Sequence, residues 1–268
     1  MTDVPRALFP HSIRELNDLP TSEKLAIYYT LIPEWVFPMF AIDRDTYTVR
    51  GQQVVQVRCP SGSHSVEISV YHEPGAIDPA LYLQMGDTVN SQLAVLLVVV
   101  NDPYSTRFNI DIDEQGNPTQ LGTHSRNVPE EIRAMQARLA PGQIRRGLRL
   151  FRTAIPLFEE FIRKMQHDMF FIEPLFYHNA IAFERYGFAY ERGANIMRSI
   201  HERFLPGGDL HARMNGDTPF RTPGAAQTVL GRSWAIHDGI MGHPLTGIHM
   251  YKRVGHASNV RTFPDSSW

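Results

Sequence analysis

A cluster of arginines near the middle of the chain is the feature that points most directly to chemistry. The segment reads Gln143-Ile-Arg-Arg-Gly-Leu-Arg149 and leads into a stretch whose apolar residues have helical spacing. The first N–H groups of a helix are unpaired, and the helix dipole favours an anion beside them. The segment therefore predicts a phosphate site at the start of a helix, with a solvated cationic surface as the alternative.

Two carboxylates are candidates for proton transfer. Asp111 and Asp113 lie on one face of residues 107–113, which alternate between polar and apolar and predict a strand. A carboxylate serves as a general base when its pKa is raised towards the working pH. The alternative is a solvent-exposed strand face beside a turn, where carboxylates are common.

Histidines form a third group, and the chain has 12 of them. His237 and His243 lie close together in sequence, with His201, His211 and His249 nearby. A metal site needs three or four converging ligands. His237 and His243 do not have the i, i+4 spacing of a helical ligand pair, so the pattern favours structural histidines. A metal-dependent enzyme built on them stays open as a weaker hypothesis.

The elements that must position these residues follow from periodicity and from turn residues. Helices are predicted over 20–33, 128–139, 177–186 and 224–237, and from Gln143 onwards with a kink or break at Pro156. Strands are predicted over 46–58, 64–71, 93–100, 107–113, 169–175 and 247–254. The run at 93–100 is aliphatic throughout and predicts a strand that is buried on both faces.

This mixture of elements predicts an α/β fold: a three-layer mixed β-sheet with helices on both faces. We expect residues 1–268 to form a single domain. An N-terminal helical extension would occupy about residues 1–40, and an insertion about residues 191–246.

Composition narrows the function classes. The formal net charge of −2 gives no electrostatic reason to expect nucleic acid as a partner. The single cysteine, Cys59, excludes an internal disulfide framework and a multi-cysteine zinc site. No apolar run approaches the roughly 20 residues of a membrane helix, and no secretory signal is visible. We therefore expect a cytoplasmic protein without a membrane partner.

The order of elements after the basic segment carries a resemblance. A helix, the short apolar strand Met169-Phe-Phe-Ile-Glu-Pro-Leu175, a short helix ending in Tyr186-Gly-Phe188 and a further strand follow one another. This half of the chain resembles the acyl-CoA-binding half of the GNAT acyltransferase superfamily. The separation between Gly147 and Gly187 and the closing segment Ile248-His-Met-Tyr-Lys-Arg-Val254 fit the same resemblance.

The resemblance implies an N-acyltransferase that passes an acyl group, such as acetyl, from an acyl-CoA to an amine of a small molecule or protein. Its implied cofactor-binding residues are Gly142, Gln143, Arg145, Arg146, Gly147 and Arg149. Asp111 or Asp113 would accept the amine proton through water, and Tyr186 would protonate the leaving thiolate. Acetyl-CoA or another acyl-CoA would be the co-substrate, and a homodimer stays open.

Three residues depart from the pattern of the family. Ile144 stands where the family has Arg or Gln, and Arg149 stands where it has a small residue. Phe183 stands where many members have the tyrosine that acts as the acid. These departures leave an alternative open. The chain would be a GNAT-like protein that does not catalyse and that binds a ligand or a partner in the cleft where the family binds acyl-CoA.

Overall fold

A computed structural model describes residues 9–148, 150–264 and 266–268 and shows a mixed α/β fold. The helices are α1 (Ile13–Asn17), α2 (Thr21–Tyr29), α3 (Val36–Met39), α4 (Val128–Gln136), α5 (Phe151–Lys164), α6 (Tyr177–Arg185), α7 (Ala194–Arg203), α8 (Asp209–Ala212) and α9 (Val229–His237), with a 3-10 helix at Pro223–Gln227. The strands are β1 (Thr48–Val49), β2 (Gln52–Gln53), β3 (Val55–Arg58), β4 (Ser65–Val70), β5 (Leu81–Asp87), β6 (Leu93–Val100), β7 (Met169–Ile172), β8 (Ala189–Arg192) and β9 (His249–Arg253).

The larger sheet is mixed, as the sequence predicts. Its strand order is β3-β4-β5-β6-β7-β9-β8, and β1 pairs with β2 separately. The pairs from β3 to β6 are antiparallel, β6 and β7 are parallel, and β8 and β9 are antiparallel. The chain divides into two compact units. The first comprises Met1–Pro103, Leu148–Ile172 and Lys252–His256, and the second comprises Tyr104–Gly147, Glu173–Tyr251 and Ala257–Trp268.

The first unit contains the pairing of α5 with β7. The apolar residues of α5 recur every three or four positions, which places them on one face of the helix. Phe158 and Phe161 are buried on that face, and the ring of Phe158 meets the ring of Phe170 on β7 edge-on at 4.7 Å. Helix α5 is continuous through Pro156, so of the expected kink or break the break does not occur.

The second unit has its own aromatic core. Phe108, Phe220 and Trp234 are buried in one apolar cluster with Leu139. Trp234 stacks on Phe220 at 5.3 Å between ring centroids, and its indole N–H donates to the carbonyl oxygen of Leu139 at 2.8 Å. The buried indole therefore has its polar atom satisfied as well as its apolar surface covered.

The start of α5 differs from the prediction. The helix begins at Phe151 rather than at Gln143, because tertiary hydrogen bonds tie the preceding backbone elsewhere. The carbonyl oxygen of Ile144 accepts from the N–H of Phe108 at 2.8 Å, and the N–H of Arg146 donates to the hydroxyl of Ser105 at 3.2 Å. The arginines at 145 and 146 therefore precede the helix instead of occupying its first turn.

The predicted strand at 107–113 is wrong. Ile112 makes only an isolated antiparallel bridge with Pro118. The backbone instead closes on itself, because the N–H of Asp113 donates to the carbonyl oxygen of Asn117 at 2.8 Å and the N–H of Thr119 donates to that of Asp111 at 2.9 Å. Among the helices of the described ranges, none is both long enough and apolar enough to cross a membrane.

Candidate functional site

The candidate site lies in the first unit, where the parallel strands β6 and β7 stop pairing. The two strands are in register only from Leu93 opposite Phe170 to Val95 opposite Ile172. Strand β7 ends at Ile172, whereas β6 continues to Val100. Residues 96–100 thus extend past the end of β7, and within the described ranges no strand pairs with them on that side.

A β-bulge marks the point where this open part begins. On the other side of β6, Val95 pairs with Met85 and Leu97 pairs with Gln84, so Leu96 is an extra residue in the ladder with β5. Leu96 is 49% exposed. Bulges leave one residue unpaired and re-aim its groups, and they are common beside active sites.

The aliphatic run of β6 is therefore less buried than predicted. Leu93 and Val95 are buried, Leu96 is exposed, and residues 97–100 are half-buried. The expectation of burial on both faces does not hold, because Leu93 and Val95 share one buried face and Ala94 between them is half-buried. A row of partly exposed aliphatic side chains gives apolar walls of the kind that bind organic ligands.

The start of α5 faces the same end of these strands. The helix packs on β7 through Phe158 and ends a few residues before β7 begins, so it runs back along the strand. Its N-terminus therefore lies at the carboxyl ends of the parallel strands, where ligands bind in open α/β sheets. The N-cap residue, Leu150, gives no side-chain hydrogen bond to the first turn, and Arg152 and Thr153 are exposed there. Trp35 contacts this turn, with its indole nitrogen 3.4 Å from the hydroxyl oxygen of Thr153.

Two of the residues implied as cofactor ligands belong to a turn of the second unit. Gly142 has φ +80°, and a Cβ there would lie 2.5 Å from the ring of Phe176. Only glycine fits this position without strain. The side-chain oxygen of Gln143 accepts from the N–H of Ala140 at 2.8 Å. The structure of the turn therefore accounts for both residue types without a bound cofactor.

The remaining residues of the basic segment are more accessible. The guanidinium of Arg145 donates to the carbonyl oxygen of Ser105 and is half-buried. Arg146 and Gly147 are exposed. Arg149, the last member of the predicted cofactor set, lies outside the described residues.

The two candidate bases already have partners in the second unit. Asp111 forms an ion pair with Arg107 at 2.7 Å. Asp113 accepts hydrogen bonds from the backbone and side chain of Asn117 and from the hydroxyl of Ser125. The backbone N–H of Asn117 is the main reason that the pKa of Asp113 lies below its usual range. A lowered pKa weakens a carboxylate as a general base near neutral pH.

The aromatic residues around Gly187 have different environments. Tyr186 caps the end of α6, and its N–H donates to the carbonyl oxygen of Ala182 at 3.3 Å. Phe183, where the resemblance to the GNAT superfamily implies a tyrosine, is buried and packs against Phe188 at 5.1 Å between centroids. The side chain at this position is thus part of the core.

Comparisons with protein-family models, with curated proteins and with solved structures gave no match to this chain.

The bulge at Leu96 is the feature of the candidate site that the sequence did not reveal. A bulge is often marked by glycine, yet the run from Leu93 to Val100 contains only alanine and branched aliphatic residues. Gly86, on the paired strand β5, is the nearest signal.

Proposed function

We propose that this protein is an acyl-CoA-dependent N-acyltransferase of GNAT type, which transfers an acyl group such as acetyl to an amine. The open, bulged end of β6 is the observation that carries the proposal. On the side of β7 it presents backbone without a strand partner among the described residues, and it presents aliphatic side chains beside the uncapped start of α5. The acceptor amine belongs to a small molecule or a protein.

An acyl-CoA has three parts that match this end of the sheet. Its pantetheine arm is extended and has amide groups, so it is suited to lie along residues 96–100 in the manner of an added strand. The thioester carbonyl needs a hydrogen-bond donor where negative charge develops in the transition state, and the N–H of the bulge residue Leu96 would supply it. The pyrophosphate would bind the first N–H groups of α5.

The order of elements supports the same proposal. Strand β6, helix α5, parallel strand β7, helix α6, strand β8 and closing strand β9 occur in this order along the chain, with α4 inserted before α5 and the segment from α7 to α9 inserted before β9. This is the succession that the resemblance to the GNAT superfamily implies. Holding amine and thioester in line would supply much of the rate gain, as it does whenever two reactants are brought together.

The chemistry also requires proton transfer. A base must take the proton of the amine, and Asp111 or Asp113, acting through water, stays the prediction from sequence. Their contacts with Arg107 and Asn117 favour structural roles. Tyr186 stays the prediction for the acid.

A protein that keeps the fold without catalysis is the second candidate function, and the burial of Phe183 favours it. Thermal unfolding with and without acyl-CoAs discriminates the two. A ligand at 100 times its Kd stabilises the folded state by about 2.7 kcal/mol. We expect the midpoint to rise with acetyl-CoA. An unchanged midpoint across acetyl-, propionyl- and longer acyl-CoAs would reject the transferase and leave the partner-binding alternative.

The phosphate role of Arg145 and Arg146 has a separate test. We expect the double substitution of both arginines by alanine to weaken acetyl-CoA binding by about tenfold or more, because charge-assisted hydrogen bonds to phosphate are lost. Isothermal titration calorimetry measures the affinity. The substitution of Arg192 and Arg198, both exposed, removes the same charge and serves as the control. Equal affinity in the two double variants would show that the basic segment is a solvated surface.

A further inference from the structure

A carboxylate and an imidazole meet in the core of the second unit. His237, the last residue of α9, has its Nε2 atom 3.0 Å from a carboxylate oxygen of Glu131 on α4. Glu131 is 3% exposed, and the Nε atom of Arg126 also donates to its carboxylate at 2.9 Å. Burial by itself raises the pKa of Glu131, but the hydrogen bonds from His237 and Arg126 outweigh it and hold that pKa below its usual range. The carboxylate is therefore ionised at neutral pH.

This pairing fixes where the proton of neutral His237 lies. An ionised carboxylate only accepts hydrogen bonds, so Nε2 must carry the hydrogen. The Nδ1 atom then has a lone pair. Within the described ranges, no hydrogen-bond partner of Nδ1 is found. A nitrogen with a lone pair and no protein partner, on a ring oriented by a carboxylate, has the arrangement of a general base.

The surroundings hold the ring of His237 in place. A Cβ at Gly122 would lie 2.5 Å from Cε1 of His237, so the ring rests on the backbone of a residue that has to be glycine. Trp234 meets the ring edge-on at 5.7 Å and Phe176 meets it at 5.8 Å between centroids. Two aromatic rings and the backbone of Gly122 leave the imidazole little freedom to turn.

A cavity of about 20 Å³ adjoins this pair. Its walls include Asp111, Thr119, Ile110 and Leu121 besides Glu131 and His237. The hydroxyl of Thr119 donates its hydrogen bond to the carbonyl oxygen of Ile110 at 2.9 Å. The polar side-chain atoms that remain on the walls are thus acceptors. The cavity is large enough for one water molecule or for a head group of similar size.

We propose that this cavity binds a small neutral donor, the hydroxyl or amine head group of a small-molecule ligand, and that Nδ1 of His237 accepts a hydrogen bond from it. The carboxylate of Glu131 acts as a positioning residue, because it holds the hydrogen of the imidazole on Nε2 and leaves Nδ1 as an acceptor. The inference rests on the second unit alone and holds whether or not the protein transfers acyl groups.

Nuclear magnetic resonance of the chain with ¹⁵N-labelled histidine tests the proposal, with methanol and hydroxylamine as neutral probes. The signals of His237 are assigned by their loss in His237→Gln. We expect a protonated Nε2, an unprotonated Nδ1, and a saturable shift of the Nδ1 signal with either probe. Glu131→Gln should mix the two tautomers and weaken the response by about tenfold, because an amide also offers a donor to Nε2.

Two further variants separate binding from folding. Asp111→Leu, at a half-exposed position, should fill the mouth of the cavity and abolish the response while the tautomer of His237 stays the same. His243→Gln, in which an exposed histidine is replaced, should respond as the wild type does. A proton on Nδ1 overturns the proposal. So does an Nδ1 signal that neither probe moves in the folded wild type, which would make the pair of Glu131 and His237 purely structural.

Discussion

Leu96→Pro should lower kcat for acetyl transfer by about 10²–10³, the usual cost of losing one hydrogen-bond donor to the transition-state oxygen. Proline has no backbone N–H, so it removes the donor that the bulge of β6 would direct at the thioester carbonyl. Leu96 is the extra residue in the ladder between β5 and β6, and proline is tolerated at bulges. The fold should therefore survive the loss of this donor.

Leu96→Ala is the matched control, because it removes the same exposed side chain and keeps the N–H. Release of the CoA thiol from acetyl-CoA, with a panel of small amines as acceptors, measures the rate. Urea unfolding measures stability. We expect kcat to fall only in the proline variant and KM for acetyl-CoA to change little, since the donor acts in the transition state. Equal kcat in the two variants would remove the bulge from the mechanism.

Local patterns in the sequence were enough to predict several elements. Helix α6 was predicted together with Gly187 as the residue after it, and Gly187 has the positive φ, +80°, that this position favours. Strand β5 was missed. It contains Gly86, which weakens the strand pattern, although a Cβ there would come within 2.9 Å of the carbonyl oxygen of His64. The glycine that obscures the strand is thus required by close packing of the sheet.

Tertiary contacts decided what local patterns could not. Helix α5 begins at Phe151 rather than at Gln143 because the backbones of Ile144 and Arg146 form hydrogen bonds with residues 108 and 105. Periodicity carries no information about such partners. Glu131 and His237 are separated by 106 residues, so their pairing could not be read from spacing. The sequence marked His237 only as one of many histidines.

His178 should make the protein sensitive to mild acid. The side chain is buried on α6, and its Nδ1 atom is 2.9 Å from the hydroxyl oxygen of Ser233. Burial, with a smaller contribution from the nearby His237, lowers the pKa of His178 to about 3. In the unfolded chain the same histidine has a pKa of about 6.5. Between these two values the unfolded chain binds a proton that the folded protein does not, so acid favours unfolding.

The size of the effect follows from the two pKa values. The stability that His178 contributes is complete above pH 6.5 and is lost progressively as the pH falls towards 3. At pH 5 the loss relative to pH 7 is about 2 kcal/mol. We expect urea unfolding of the wild type to show this decrease in the free energy of unfolding. In His178→Asn, whose side chain cannot take up a proton, the decrease should be smaller by about 2 kcal/mol. His243→Asn, at an exposed histidine, is the control and should keep the loss of the wild type. A loss in His178→Asn equal to that of the wild type would mean that other groups set the acid sensitivity.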